Sequence, residues 1–343
     1  DWCSIPAGRN PDGLPPNFEN PQSLQPTFIA ISSIMLTLAI IITSGRLYVN
    51  RNTFRLADYS MIVGLIFDIG LCGIFLAESK IYRHVWDTPI CWYDVWFLKI
   101  SFAASLLTAP ALFFPKAAIF LFYIQIFSVK KSINIGSKIG IAFALLAYLP
   151  PTLAFIHYDV PHAGQGWDDV LAQGMLEKGI PLSITMGVAS VIVDVYVFTL
   201  PLPTIFSLNM NFSKKLQIIA LFTTAFMGIV ASVACLAFRV GILLLGDGTW
   251  QAGRLSIVII VEINVAIMVG SLPAFTRFLR IYIFETAFFK SLRFKFSTKR
   301  GGQASGLEQR NSWKNQVLWT YGSPHRQQPQ YHELSDSLVV QSR

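Results

Sequence analysis

Six ionisable side chains stand inside long apolar runs of this 343-residue chain: Asp68, Asp194 and Glu262 against Lys99, Lys116 and Arg239. An ionisable group at mid-membrane costs roughly 2.5–3.5 kcal/mol on insertion scales. Three anions among three cations therefore predict mutual pairing inside a helix bundle. At about 1.5 Å of rise per residue, Arg239 and Glu262 fall at similar depth on neighbouring runs, which pairs them. The same count pairs Asp194 with Lys116, and the two assignments could swap. Such charges either hold a bundle together or line a polar pocket, so Lys99, Lys116, Asp194, Arg239 and Glu262 are read as ligand-binding or structural intramembrane charges. In the pocket reading, the site opens outward between the third, fifth, sixth and seventh runs, with Phe198, Phe226 and Phe238 as apolar walls. An acid group in such a cavity could also protonate a lipophilic substrate.

The remaining chemistry-bearing residues lie in connectors. His84, Trp86 and Asp87 form one group, and His157, His162, Trp167, Asp168 and Asp169 another. Neither has the spacing of a zinc site, and Trp86 and Trp92 fit interface anchors. The four cysteines, Cys3, Cys72, Cys91 and Cys235, contain no CxxC pair. No metal, no cofactor and no catalytic residue is expected, and the residues leave open whether the protein is an enzyme.

The elements that must position these residues follow from composition. The chain is 53% hydrophobic and 13% charged, against about 25% charged in soluble domains. Its apolar residues come in seven runs long enough to span a bilayer: Leu24 to Tyr48, Tyr59 to Ala77, Val95 to Phe127, Ile139 to Ile156, Pro181 to Leu208, Leu216 to Leu245 and Leu255 to Phe278. Backbone amides in lipid must bond internally, so the runs are helices. The fold class is an all-α membrane protein, a seven-transmembrane helix bundle. Pro110, Pro115, Pro150, Pro151, Pro201, Pro203 and Pro273 fall inside runs and predict kinks, with Pro201 and Pro203 a candidate hinge.

Lys and Arg set the orientation. One set of connectors carries Arg51, Arg55, Lys130, Lys131, Lys214 and Lys215, flanked by Arg46 and Lys138; the other carries Lys80, Arg83, Lys178 and Arg254. The first set is expected in the cytoplasm, which puts the N-terminus outside and the C-terminus inside. The domain boundaries are then an extracellular N-terminal segment at 1–23, the bundle at 24–280, a basic aromatic juxtamembrane segment at 281–300 and a disordered cytoplasmic tail at 301–343. The juxtamembrane segment either lies along the inner membrane face or simply fixes orientation. In this topology Cys3 and Cys91 are both outside, where oxidation is permitted, and a disulfide between them is expected. Cys72 and Cys235 lie within helices as reduced packing residues. The net charge of +8 concentrates at span ends and in the tail, which indicates contact with membrane lipids and no nucleic-acid partner.

The block Asp194 to Met210, DVYVFTLPLPTIFSLNM, resembles the signature of the fungal rhodopsin-like integral membrane proteins. Further matches are Arg46 with Tyr48, Asp58, His84 with Trp86, Lys116 opening KAAIFLFYIQIF, Lys215, Phe226 with Gly228, Arg239, Glu262 and Pro273. The resemblance covers roughly residues 25 to 285. It implies a seven-helix protein of a family that includes receptor-like proteins of plant-pathogenic fungi and membrane proteins from toxin gene clusters. The family's usual cysteines before the fifth span are missing from HYDVPHAGQGWDDVLAQGMLEKG. Retinal is not expected, because the seventh run has no Lys for a Schiff base. The Asp/Glu-Arg-Tyr and Asn-Pro-x-x-Tyr switches of animal seven-helix receptors are also missing.

Two functions fit this pattern. The first is a receptor-like protein sensing an extracellular or lipophilic small molecule, with a cytoplasmic signalling partner, in the plasma membrane rather than the endoplasmic reticulum. The second is a membrane-embedded enzyme or accessory protein of a secondary-metabolite pathway. No two-fold repeat of the transporter kind is evident.

Overall fold

Among the described residues of the computed structural model, seven helices are long and apolar enough to cross a membrane. The structure describes residues 2–128, 130–162, 164–172, 176–203, 212–244 and 246–284. The spans are α1 (Gln25–Asn50), α2 (Leu56–Glu78), α3 (Val95–Ile126), α4 (Lys131–Asp159), α6 (Leu176–Thr199), α7 (Phe212–Leu244) and α8 (Gly248–Phe278), and a short helix α5 (Trp167–Ala172) precedes α6. No strand occurs among the described residues, apart from two isolated bridges. The protein is thus an all-helical, multi-pass integral membrane protein.

The spans pack as a closed ring in chain order, α8 returning to α1, and α3 also meets α8 across the middle. Two-thirds (67%) of the most apolar stretch of α8 is buried, against about one-third or less in every other span. The α8 sequence therefore reads apolar on all sides, with Glu262, Asn264 and Ser271 turned into the bundle. The other spans present aliphatic side chains outward, such as Ile41, Ile66, Leu146, Leu153, Ile192 and Val233, as lipid-facing surfaces require. Two helix starts are capped by carboxylates. Asp94 Oδ1 accepts from the Phe97 amide at 2.8 Å, and Asp58 Oδ2 accepts from the Arg55 amide at 3.0 Å.

Several boundaries differ from the sequence reading, for one reason: hydropathy marks the lipid-embedded part of a helix, not its ends. α4 begins eight residues before Ile139; Gly136 in that extension lets Leu200 and Tyr196 approach closely, and Gly140 just after it does the same for Phe120 and Tyr196. α8 begins at Gly248 rather than Leu255, because Thr249 and Gly253 pack against the connector between α2 and α3. The helices run unbroken through Pro110, Pro115, Pro150, Pro151 and Pro273. α6 ends at Thr199, just before Pro201. Pro201 and Pro203, the expected hinge, stand at the end of a described stretch, just past α6; the inner end of the fifth run from 204 on, the juxtamembrane segment from 285 on and the tail lie outside the described residues.

Candidate functional site

Lys116 anchors the interior. It is 1% exposed, and its Nζ lies 2.8 Å from Asp194 Oδ1 and 2.9 Å from Glu262 Oε1. It also donates to Ser190 Oγ at 2.6 Å and reaches the Tyr148 hydroxyl at 3.2 Å. Ser190 donates to Glu262 at 2.5 Å, and Tyr148 donates to Ser190 at 3.1 Å. Spans α3, α4, α6 and α8 thus each contribute one or two groups to a buried network, in which Asp194 Oδ2 meets no donor among the described residues. In low dielectric such charges persist only when paired and hydrogen-bonded.

Two further polar contacts tie α8 to α1 and α2. Arg46 Nε lies 2.7 Å from Asp58 Oδ1, and its Nη1 donates to the Gly270 carbonyl at 2.5 Å. Asn264 Nδ2 donates to Asp68 Oδ1 at 3.3 Å. Asp68 Oδ2 is buried and meets no donor among the described residues.

The end of the bundle that carries the N-terminal segment is closed by a cap. Cys3 and Cys91 are joined in a disulfide. Backbone bonds from Ala7 to Thr88 at 2.8 Å and from Ile90 to Ile5 at 3.0 Å lay the N-terminal segment along the α2–α3 connector. The Asn17 amide donates to Asp87 at 2.9 Å. His84 is sandwiched between Trp86 and Trp250, with ring centroids 4.6 Å and 4.1 Å away. Its Nδ1 lies 2.6 Å from Asp247 Oδ2, and the Val85 amide donates to Asp247 Oδ1 at 3.0 Å. Thr249 Oγ1 donates to the Arg83 carbonyl at 2.7 Å. The cap thereby locks the α2–α3 connector to the turn between α7 and α8.

Beneath this cap lies a cavity of about 390 Å³. Phe75, Phe97, Phe102, Phe155, Ile242 and Ile259 supply much of its apolar wall. Glu78, Tyr82, Ser101 and Ser256 form a polar strip, and Arg239 and Ser183 stand on the α6–α7 side. Ser101 donates to Glu78 at 2.6 Å, and the Tyr82 hydroxyl donates to Ser256 at 3.0 Å. Burial, then the charge of Glu78, raises the Tyr82 phenol well above its ordinary range. Burial and then Asp247 push Tyr93 up to about 12. Both phenols therefore stay protonated at neutral pH. The volume and the mix of apolar wall with a few polar groups are those of a small-molecule site. The described residues contain no cluster of His, Cys, Asp and Glu able to hold a metal.

The structure brings together Lys116, Asp194 and Glu262 but not the pair Arg239 and Glu262. Depth along the chain does not fix which way a side chain points: Glu262 faces α3, whereas Arg239 faces α6. There its Nη1 donates to the Ser183 carbonyl at 3.2 Å and to Ser183 Oγ. Lys99 is exposed, with its Nζ 5.6 Å from the Trp167 ring centroid, and does not line the cavity. Nor do Asp194 and Glu262, which lie in the buried network around Lys116. The expected walls are also placed elsewhere. Phe226 is 54% exposed, Phe198 packs on Phe222, and Phe238 carries Arg254 on its face. Sequence reasoning missed Glu78, which falls one residue beyond the assigned second run. It also missed Ser190 and Tyr148. The signal for Ser190 was its position four residues before Asp194, on the same helix face.

The fungal rhodopsin domain family matches this chain over residues 44–281. A SAT4 family membrane protein of Emericella nidulans is 27% identical over 247 residues, or 71% of this chain and 60% of the relative. The chain thus spans about 60% of the length of that curated relative. No solved structure matches. The matched region contains Arg46 with Asp58 and Lys116 with Asp194 and Glu262, the ion pairs that join the spans. On a match covering well over half its length, the chain belongs to the fungal rhodopsin domain family.

Proposed function

We propose that this protein is a receptor-like membrane protein that takes a small extracellular or lipophilic molecule into the capped cavity. The observation that carries the reading is the cavity itself: about 390 Å³, mostly apolar, with Glu78, Tyr82, Ser101, Ser256 and Arg239 as its polar groups. The bias of Lys and Arg toward the opposite connectors supports an N-terminus outside and a C-terminus in the cytoplasm. In that orientation the cavity faces the exterior of the plasma membrane. The connectors at the other end, with the basic tail, face anionic lipid and a cytoplasmic signalling partner. The Lys116 network links spans α3, α4, α6 and α8 below the cavity, a route by which a change in the cavity would reach the far side. A deletion strain tests the reading by transcriptome and metabolite profiling. Loss of a transcriptional response with metabolite chemistry intact is the expected result. Accumulation of one defined intermediate would replace it with an enzymatic or accessory role in secondary metabolism.

A further inference from the structure

Arg239 differs from the other buried cations of the spans. Arg46 and Lys116 each have a carboxylate within 3 Å. Arg239 is 5% exposed and forms no ion pair among the described residues. Among the described residues its hydrogen-bond partners are the carbonyl and hydroxyl of Ser183, and its buried Nε meets no acceptor there. Space for its stem is built into α6: a Cβ on Gly187 would stand 2.9 Å from Arg239 Cδ and 3.4 Å from Nε. A buried guanidinium without a counter-charge is costly. Because Arg239 lines the cavity, a ligand can supply that counter-charge. The cavity's other charged group, Glu78, likewise has no ion pair among the described residues and accepts from the neutral Ser101, so it is the rival anchor that an amine would reveal.

We infer that the cavity takes a lipophilic monocarboxylate, its carboxylate on Arg239 and its apolar body against the wall of Phe75, Phe97, Phe102 and Phe155. This rests on the proposed reading of the cavity as a ligand site and names the ligand's class. A carboxylate on a guanidinium gives charge-assisted hydrogen bonds, about twice as strong as neutral ones. The aromatic wall contributes by apolar burial and is indifferent to head-group charge. The cavity volume suits one drug-sized molecule.

The test uses the full chain in phosphatidylcholine nanodiscs and three probes: dansyl-labelled undecanoic acid, its methyl ester and the corresponding primary amine. Binding is read by dansyl fluorescence. The acid is expected to bind at least about tenfold tighter than the ester. In R239M that preference should fall to about unity, while the unfolding temperature holds or rises, because an apolar side chain replaces an unpaired charge. Should R239M not fold, G187A serves instead: its methyl group displaces the guanidinium and should weaken the acid but not the ester. A252W, which fills the cavity, should abolish binding of acid and ester alike. Equal binding of acid and ester in the wild type, or an acid preference unchanged in R239M, overturns the carboxylate assignment and leaves the cavity reading standing. Tighter binding of the amine overturns it too, by moving the anchor to Glu78. Binding of none of the probes, or binding undiminished in A252W, overturns both.

Discussion

Lys116 Nζ lies 2.9 Å from Glu262 Oε1, although 146 residues separate them in the chain. The contact closes the ring of spans through its centre, because α3 and α8 meet across the bundle. Lys116 holds Asp194 at the same time, so one ammonium serves two carboxylates, and the three partners are not equivalent.

K116M should therefore be the most damaging change in the network. It leaves Asp194 and Glu262 buried without a cation, at an expected loss of about 3–5 kcal/mol. E262Q should be milder, since Lys116 keeps Asp194 as counter-charge. Thermal unfolding in detergent, with monodisperse yield from size exclusion, gives the comparison. A K116M protein that unfolds at the wild-type temperature would remove the network from the account of stability.

Packing of α2 offers a test within one helix. A Cβ on Gly64 would meet Pro115 Cγ and Cδ at 2.9 Å and the Pro115 nitrogen at 3.2 Å. A proline ring on a helix backbone cannot swing away, so G64A should cost about 1–3 kcal/mol. Gly73 on the same helix faces open space, with nothing within 4 Å of a Cβ. G73A should be neutral or stabilise by up to about 1 kcal/mol, through helix propensity. Equal unfolding temperatures for the two variants would mean that α2 and α3 do not pack as described.

What the sequence reveals depends on the kind of force. Seven spans are legible because lipid demands about 20 apolar residues apiece. Lys116 with Asp194 is legible because the bilayer demands pairing. The partner of Glu262 is not, because linear depth leaves rotation about the helix axis free: Glu262 turns to α3, and Arg239 on α7 turns to α6. Arg46 and Asp58 stand out only as matches to a family pattern, although opposite charges at either side of a short connector already favour a pair. The cavity walls come from six spans at once, and no local pattern encodes that convergence. Glu78 shows the limit of hydropathy windows, since a carboxylate at a helix end looks like the end of the span.

The cysteines and the topology are tested together. Alkylation of the unreduced protein should label Cys72 and Cys235 only after unfolding, and Cys3 and Cys91 only after reduction. The Cys3–Cys91 bridge spans 88 residues of sequence, so its loss in C3S/C91S should cost about 2–4 kcal/mol. A tag before Asp1 should be reached by antibody on intact cells, and a tag after Arg343 only after permeabilisation. Surface labelling of the C-terminal tag would reverse the orientation and place the cavity in the cytoplasmic half.

His84 decides how firmly the cap closes. Its ring lies nearly parallel to both neighbours, at 5° to Trp86 and 12° to Trp250, and Asp247 fixes its edge from the α7–α8 turn. H84A removes two aromatic contacts worth about 0.5–1.5 kcal/mol each, along with the bond to Asp247. H84F keeps a ring between the tryptophans and loses the bond to Asp247 and the 3.4 Å contact of His84 Nε2 with Gln22 Oε1, so its unfolding temperature should lie between H84A and wild type. Val85 and Thr249 belong both to this cap and to the cavity lining. A loosened cap should therefore release a bound molecule faster while changing its rate of entry less, as interface changes generally do. Stopped-flow dissociation of the dansyl acid should then rank H84A fastest, H84F next and wild type slowest. Identical dissociation rates in all three would separate the cap from the cavity and leave His84 a purely architectural contact.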